Sequence, residues 1–288
     1  MEWYTLVLLS SLLMGAETVI AKNTLRKEHA TEFSAALNVL VAIVSLLFIP
    51  FADFGITLTQ VAFLVVLSAL SAYTYLLSSR IFRHGELSVA SPAFSSLPTL
   101  FVVVLSFFFL NEQLKVAQYI SIVGMVVATY MLFFKAPKRK DGKKTFDGVK
   151  YEYMILVYVV LSAIGAVAGK YVLNEMNPYT YLIGTGIFMS VFLTIIITVR
   201  YKGISEIVEA VKKYRLPLVT NTFLTLGYRV TFFVALAVAP VSLAQPLRNV
   251  IYVVLTVVLG CCLFKEDGLW RKLALSVIML AFAYMLTL

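Results

Sequence analysis

GAVAGKYVL, residues 165–173, admits two readings that lead to different proteins. As a glycine-rich loop ending in lysine it would cradle phosphate. As part of an apolar helix it places Lys170 among small and aliphatic side chains. A phosphate loop needs four residues between its glycines, Ser or Thr after the lysine, and a strand before it. Here only Ala166, Val167 and Ala168 separate Gly165 from Gly169, Tyr171 follows the lysine, and no strand pattern precedes. The helix reading holds, with Gly165 and Gly169 forming a small-xxx-small packing face.

Composition extends that reading to the whole chain. Of 288 residues, 61% are hydrophobic and 14% charged, with a mean hydropathy of +0.92. Soluble domains carry about a quarter charged residues, so the solvent implied is lipid. The apolar residues fall in blocks of about 20, the length a helix needs to cross the hydrocarbon core. The blocks run 3–24, 33–51, 58–82, 88–110 and 115–134, then 152–173, 179–200, 214–238, 242–264 and 269–287. An all-α membrane protein of ten transmembrane helices is expected, and β-barrel alternation is absent from the pattern.

The net charge of +9 does not point to nucleic acid, because Lys and Arg gather in short loops beside helix ends. Cys261 and Cys262 are adjacent within one span and read as packing residues. The first apolar run lacks a basic leader and a cleavage site, and reads as a retained helix. His29 and His84 fall at loop edges without metal spacing, and no metalloprotease or nucleophile-elbow motif occurs. No catalytic residue, metal site or enzymatic activity is expected.

The chain also repeats itself. Without gaps, 87–114 aligns with 241–268, sharing Ser88/Ser242, Ala90/Ala244, Pro92/Pro246 and Glu112/Glu266, and Met125/Met279 keeps the register. AKNTL (21–25) likewise aligns with GKYVL (169–173), pairing Lys22 with Lys170. This divides the chain into a first repeat, 1–134, a basic linker, 135–151, and a second repeat, 152–288. Five helices per repeat is an odd number, so the second repeat enters the membrane from the opposite side. The charges agree: Arg26, Lys27, Arg80 and Arg83 occupy the 1–2 and 3–4 loops, whereas Lys212, Lys213 and Arg215 precede the eighth span. All basic loops then share the cytoplasmic face, with the linker cytoplasmic and both termini outside the cell membrane. Inverted repeats imply a midplane site and alternating access.

The stretch SVASPAFSSLPTLFVVVLSFFFLNEQLKVAQYISIVGMVVATYML (88–132) resembles the end of an EamA-type repeat of the drug/metabolite transporter superfamily. The family's Gly-Glu-Arg-like turn after its fourth helix is here LNEQL, with Asn111 for Gly and Gln113 for the base. LLMGAETVIAKNTL (12–25) is similar to the family's first helix, and Glu266 is kept in the second half. The resemblance implies a ten-helix transporter whose substrates range over amino acids, sugars, nucleotide-sugars and drugs.

Ionisable groups within spans cost about 2.5–3.5 kcal/mol near the centre and are functional candidates. Arg229, Arg248 and Lys170 fall in the outer half by helical rise, and Glu17 and Lys22 in the inner half. Glu17 and Arg229 lie roughly 12 Å apart along the axis and are not expected to pair. Glu17 is either a proton-coupling carboxylate or bonded to Lys22 or Arg80. The lysines are either site elements or snorkelling side chains. Asn38, Tyr73, Ser91, Asn221, Tyr228, Gln245 and Asn249 either line the cavity or glue helices together. Glu112 and Glu266 read as capping scaffold, and ISEIVEAVKKYR (204–215) as a short amphipathic surface helix.

The expected function is secondary transport of a small metabolite bearing a carboxylate or phosphate, in either direction and without ATP hydrolysis. A flippase or scramblase for a lipid headgroup is the alternative. No cofactor is expected beyond a coupling proton or ion. The partners are a small-molecule substrate and the lipid bilayer, and the protein is a monomer or homodimer.

The charge asymmetry makes a direct prediction. Cysteines placed at 135–150 will be shielded from membrane-impermeant thiol reagents in intact cells, and one beside Leu288 will react. The reverse labelling pattern overturns the orientation.

Overall fold

A computed structural model describes residues 2–25, 29–84, 87–134, 149–200, 203–264 and 269–287. Among them every regular element is helical. The long helices are α1 (Trp3–Leu25), α2 (Ala30–Ser45), α3 (Leu58–His84), α4 (Leu87–Leu110), α5 (Val116–Phe134), α6 (Val149–Leu173) and α7 (Pro178–Arg200). The short α8 (Ile204–Lys213) precedes α9 (Arg215–Val238), α10 (Val241–Phe264) and α11 (Leu269–Thr287). Seven stretches, in α1, α2 with its extension, α3, α6, α7, α9 and α10, are long and apolar enough to cross a membrane. Helices α4 and α5 contribute shorter apolar segments, Leu97–Leu110 and Val116–Ala128. The exterior is apolar as well: Phe108 is 74% exposed and Val277 65%, side chains no water-facing surface would present in such numbers.

Most ends fall within a few residues of the sequence reading. The second span differs in kind, because its α-helix stops at Ser45 and tightens into a 3-10 turn over Leu46–Phe51. Pro50 lies in that turn; it cannot donate to the preceding carbonyl ladder and crowds it. The amphipathic segment forms α8, which buries Ile207 and Ala210 against the bundle. The linker from 135 to 148, Arg26, Lys27, Glu266 and Leu288 lie outside the described residues, as does the side chain of Cys261. Cys262 is a free, exposed thiol.

Successive long helices alternate in direction. One end of the bundle, here the linker end, holds the close of α1, α3, α5, α7 and α10; the other is the distal end. The halves interlock rather than lie side by side. Helix α1 packs on α9 and α10, while α6 packs on α3 and α4. Between the halves, α2 meets α7, α4 meets α10, and α5 meets α11. The glycines of the opening stretch serve this packing. A Cβ on Gly165 would stand 3.3 Å from Leu70 of α3, and one on Gly169 only 2.8 Å from the Tyr181 hydroxyl of α7.

The distal end is closed by a cap that begins with backbone conformation. Asn111 takes a left-handed φ of 54°, and Glu112 N–H donates to the Ser106 carbonyl at 3.3 Å. This bond spans one residue more than the six-to-one bond of a Schellman turn, and it ends α4 with Asn, the residue other than Gly best suited to the left-handed position. The turn aims Glu112 across to α10. Its carboxylate accepts from Val241 N–H at 2.9 Å, Ser242 N–H at 3.0 Å and the Ser242 hydroxyl at 2.5 Å. Two of the orphan donors at the start of α10 are thereby satisfied by an anion placed at the positive end of the helix. Around this cap lies a buried apolar cluster including Val102, Val172, Leu236, Val241 and Ala244.

Asn111→Gly should leave the unfolding midpoint nearly unchanged, because glycine accepts the same φ. Asn111→Val should cost about 1–2 kcal/mol through left-handed strain. Thermal melts of detergent-purified protein compare the two, and equal midpoints overturn this account of the turn.

Candidate functional site

Eight of the long helices, all except α5 and α11, line a cavity of about 290 Å³. From α3 come Ser71, Thr74, Tyr75, Ser78, Ser79 and Phe82, one polar-aromatic stripe at helical spacing. From α9 and α10 come Tyr228, Arg229, Gln245, Arg248 and Asn249, and from α1 Glu17 and Thr18. The lining runs from Tyr181 and Phe233 on the distal side to Leu25, Phe33 and Phe82 toward the linker end.

Two guanidiniums share this space. Arg229 donates to Asn38 Oδ1 at 3.2 Å and lies 3.7 Å from Met189 Sδ, both neutral groups. Asn38 is itself fixed, since its amide donates to the Ser34 carbonyl at 2.9 Å. Arg248 stands 3.8 Å over the Phe232 ring, and its Nε is buried without a hydrogen-bond partner among the described residues. Ring-face contact steadies a cation but leaves its N–H groups unused. Glu17, also buried, accepts from the Thr18 hydroxyl at 3.3 Å and feels the charge of Arg229. Among the described residues no ion pair joins Glu17 to either arginine. The helical-rise estimate kept Glu17 and Arg229 apart, and they do not bond, yet they face one cavity.

The structure therefore gathers Glu17, Tyr228, Arg229, Gln245, Arg248 and Asn249 around one space and leaves other candidates outside its lining. Lys22 donates to the Phe82 carbonyl at 2.5 Å, and Lys170 to the Leu236 carbonyl at 2.6 Å. Both carbonyls belong to the last turn or two of a helix, α3 and α9, where the ladder runs out of donors and a cation is favoured. Both ammonium groups thus turn to helix-end carbonyls. Asn38 stands behind Arg229. Tyr73 is corrected as a lining residue, being 46% exposed, because two residues along a helix is a turn of about 200° and Tyr75 takes the inward direction. Asn221 is fully buried, and its amide has no partner among the described residues. The side chain of Ser91 lies outside the described residues.

Sequence reasoning missed Tyr75, Tyr158, Tyr181 and most of the serines. The period of Ser71, Thr74, Tyr75, Ser78 and Ser79 was the available signal on α3. Asn249 has a second role: its amide donates to the Ser95 carbonyl at 2.5 Å and the Thr99 hydroxyl at 3.0 Å, tying α10 to α4 at the cavity wall.

The sequence profile of the EamA-like transporter family matches residues 1–134 and again 149–288. The chain belongs to the EamA-like transporter family. As an EamA-like protein with its apolar helical exterior, it is a multi-pass membrane protein. A solved structure described as "Crystal structure of protein" is similar with a TM-score of 0.72 at 14% identity, over 99% of this chain and 96% of that one. At that identity the likeness shows the shared fold. None of the curated proteins compared is significantly similar in sequence.

The lysine bonds give a prediction for this EamA-like chain. Lys170→Met strips a buried helix-terminal carbonyl of its donor and should cost about 1–3 kcal/mol, whereas Lys170→Arg keeps most of it. Thermal unfolding in detergent measures the difference; equal losses in the two variants would overturn the capping role.

Proposed function

We propose that this EamA-like protein is a secondary transporter of a small anionic metabolite, working by alternating access between two inverted five-helix repeats. The observation that carries the reading is Arg229 and Arg248 lining one buried cavity with no carboxylate bonded to either among the described residues. Buried cations are tolerated when paired, hydrated or able to meet an anion. A guanidinium fork holds a carboxylate or phosphate with two parallel hydrogen bonds.

Three further observations support it. Contacts recur between corresponding helices of the two halves: α1 with α9 as α6 with α3, and α1 with α10 as α6 with α4. Lys22 and Lys170 make the same kind of bond at opposite ends. The distal end is packed and capped through Glu112, while the cavity lining continues toward Leu25 and Phe82 at the linker end. A cavity of about 290 Å³ sits at the lower end of the range for small-molecule sites, roughly 300–1,000 Å³. That suits a metabolite better than a lipid headgroup with its chains.

Purified protein in liposomes should exchange small organic anions in saturable counterflow. A bound anion at about 100 times its Kd should stabilise by about 2.7 kcal/mol in thermal shift. Arg229→Lys should weaken binding although the charge is kept, and Arg229→Met should weaken it further. Preference for neutral or cationic solutes, with Arg229→Met unaffected, overturns the proposal.

A further inference from the structure

The two sides of the cavity wall are chemically unlike although their positions correspond. The offset that aligns Ser88 with Ser242 also pairs Phe82 with Leu236, the two residues whose carbonyls Lys22 and Lys170 hold. The register therefore extends from α4 and α10 to α3 and α9. At this offset Phe94 corresponds to Arg248, and Tyr75 to Arg229. All four line the cavity. Each arginine on the distal side thus has an aromatic ring as its counterpart toward the linker end.

Phe94 belongs to a row of rings. Phe94 lies 5.0 Å from Phe82 and 4.5 Å from Tyr158, centroid to centroid, the second contact edge-to-face. Tyr158 lines the same cavity as Arg248, so the aromatic wall and the guanidiniums face one space. Among the described residues the charged groups of the lining are two guanidiniums and the Glu17 carboxyl. The guanidiniums outnumber the carboxyl whether or not it is ionised, so the surplus favours an anion and opposes a cation.

Resting on the transporter reading above, we propose that the substrate is an amphiphilic anion: a carboxylate on a body of one aromatic ring or equal apolar bulk. Its carboxylate meets Arg229 and Arg248, and its body lies against Phe94 and Tyr158, along the membrane normal. Phe94 determines specificity, because it stands where the repeat could equally carry an arginine.

The test is counterflow of radiolabelled phenylacetate into liposomes holding the full chain. Competitors are lactate, a small polar monoanion; succinate, a dianion; and phenethylamine, the same ring carrying a cation. Phenylacetate should compete at least about tenfold better than lactate, the scale of one well-placed aromatic contact, and succinate and phenethylamine should also compete more weakly than phenylacetate. Phe94→Ala should remove the advantage over lactate and Phe94→Leu should narrow it, with melting temperatures confirming that both variants fold. Lactate, succinate or phenethylamine equalling phenylacetate, or a Phe94→Ala variant that keeps the full advantage, overturns the substrate class. Exchange of anions regardless of their body overturns this class alone; exchange of no anion removes the transporter reading as well.

Discussion

A hydrocarbon solvent offers no hydrogen bonds, and nearly every feature of this chain answers to that fact. Within a helix the backbone satisfies itself, which is why apolar stretches of this length fold as they do. Helix ends are the exception, since each leaves donors or carbonyls without partners. Here the ends are met by side chains from other helices. Lys22 reaches α3, Lys170 reaches α9, and Glu112 reaches α10. Each bond closes a helix end and at the same time fixes the distance between two helices. Charges that look misplaced in an apolar sequence are thereby the ties of the bundle.

With Lys22 and Lys170 committed to helix ends, the charged residues that line the cavity, among those described, are Glu17, Arg229 and Arg248. Their partners differ in kind from those of the lysines. Arg229 has a neutral amide and a thioether, and Arg248 has a ring face. These hold a guanidinium in place without neutralising it. Full neutralisation by a protein carboxylate would have made the arginines structural and left an anion nothing to gain on entering. The supporting contacts of Asn38 and Phe232 orient both forks while leaving donors over. In the proposed transporter, orientation before binding would let the attraction to an anion exceed the cost of desolvating it.

The helices were legible in the sequence because one signal, block length, sets both their existence and their ends. The amphipathic α8 and the capping role of Glu112 were legible too, the first from its period and the second from its place in a turn. The 3-10 extension after Ser45 was not, because a proline near a predicted end was absorbed into an apolar run. The site was legible for its charges and far less so for its rings and hydroxyls. An arginine in a membrane span stands out at any azimuth. A tyrosine does not, since one facing lipid and one facing the cavity differ only in where the helix turns them. Tyr73 and Tyr75 are that pair, and only contacts with neighbouring helices decide between them. The partners of the lysines were not legible for a related reason: depth along an axis says how far a charge is from water but not which carbonyl lies within its reach.

The family profile matches both halves of the chain, yet likeness of sequence leaves chemistry free to differ. Packing demands keep corresponding helices in contact and keep a lysine at each third-helix end of a repeat. The cavity wall carries no such demand, and there the halves part: ring against guanidinium at Phe94 and Arg248, and at Tyr75 and Arg229. A symmetric wall would bind a ligand in either orientation. In the proposed transporter an asymmetric one would fix which end of the ligand faces which mouth, without disturbing the contacts between corresponding helices. Symmetry in the scaffold and asymmetry in the lining are therefore compatible, because they are carried by different faces of the same helices.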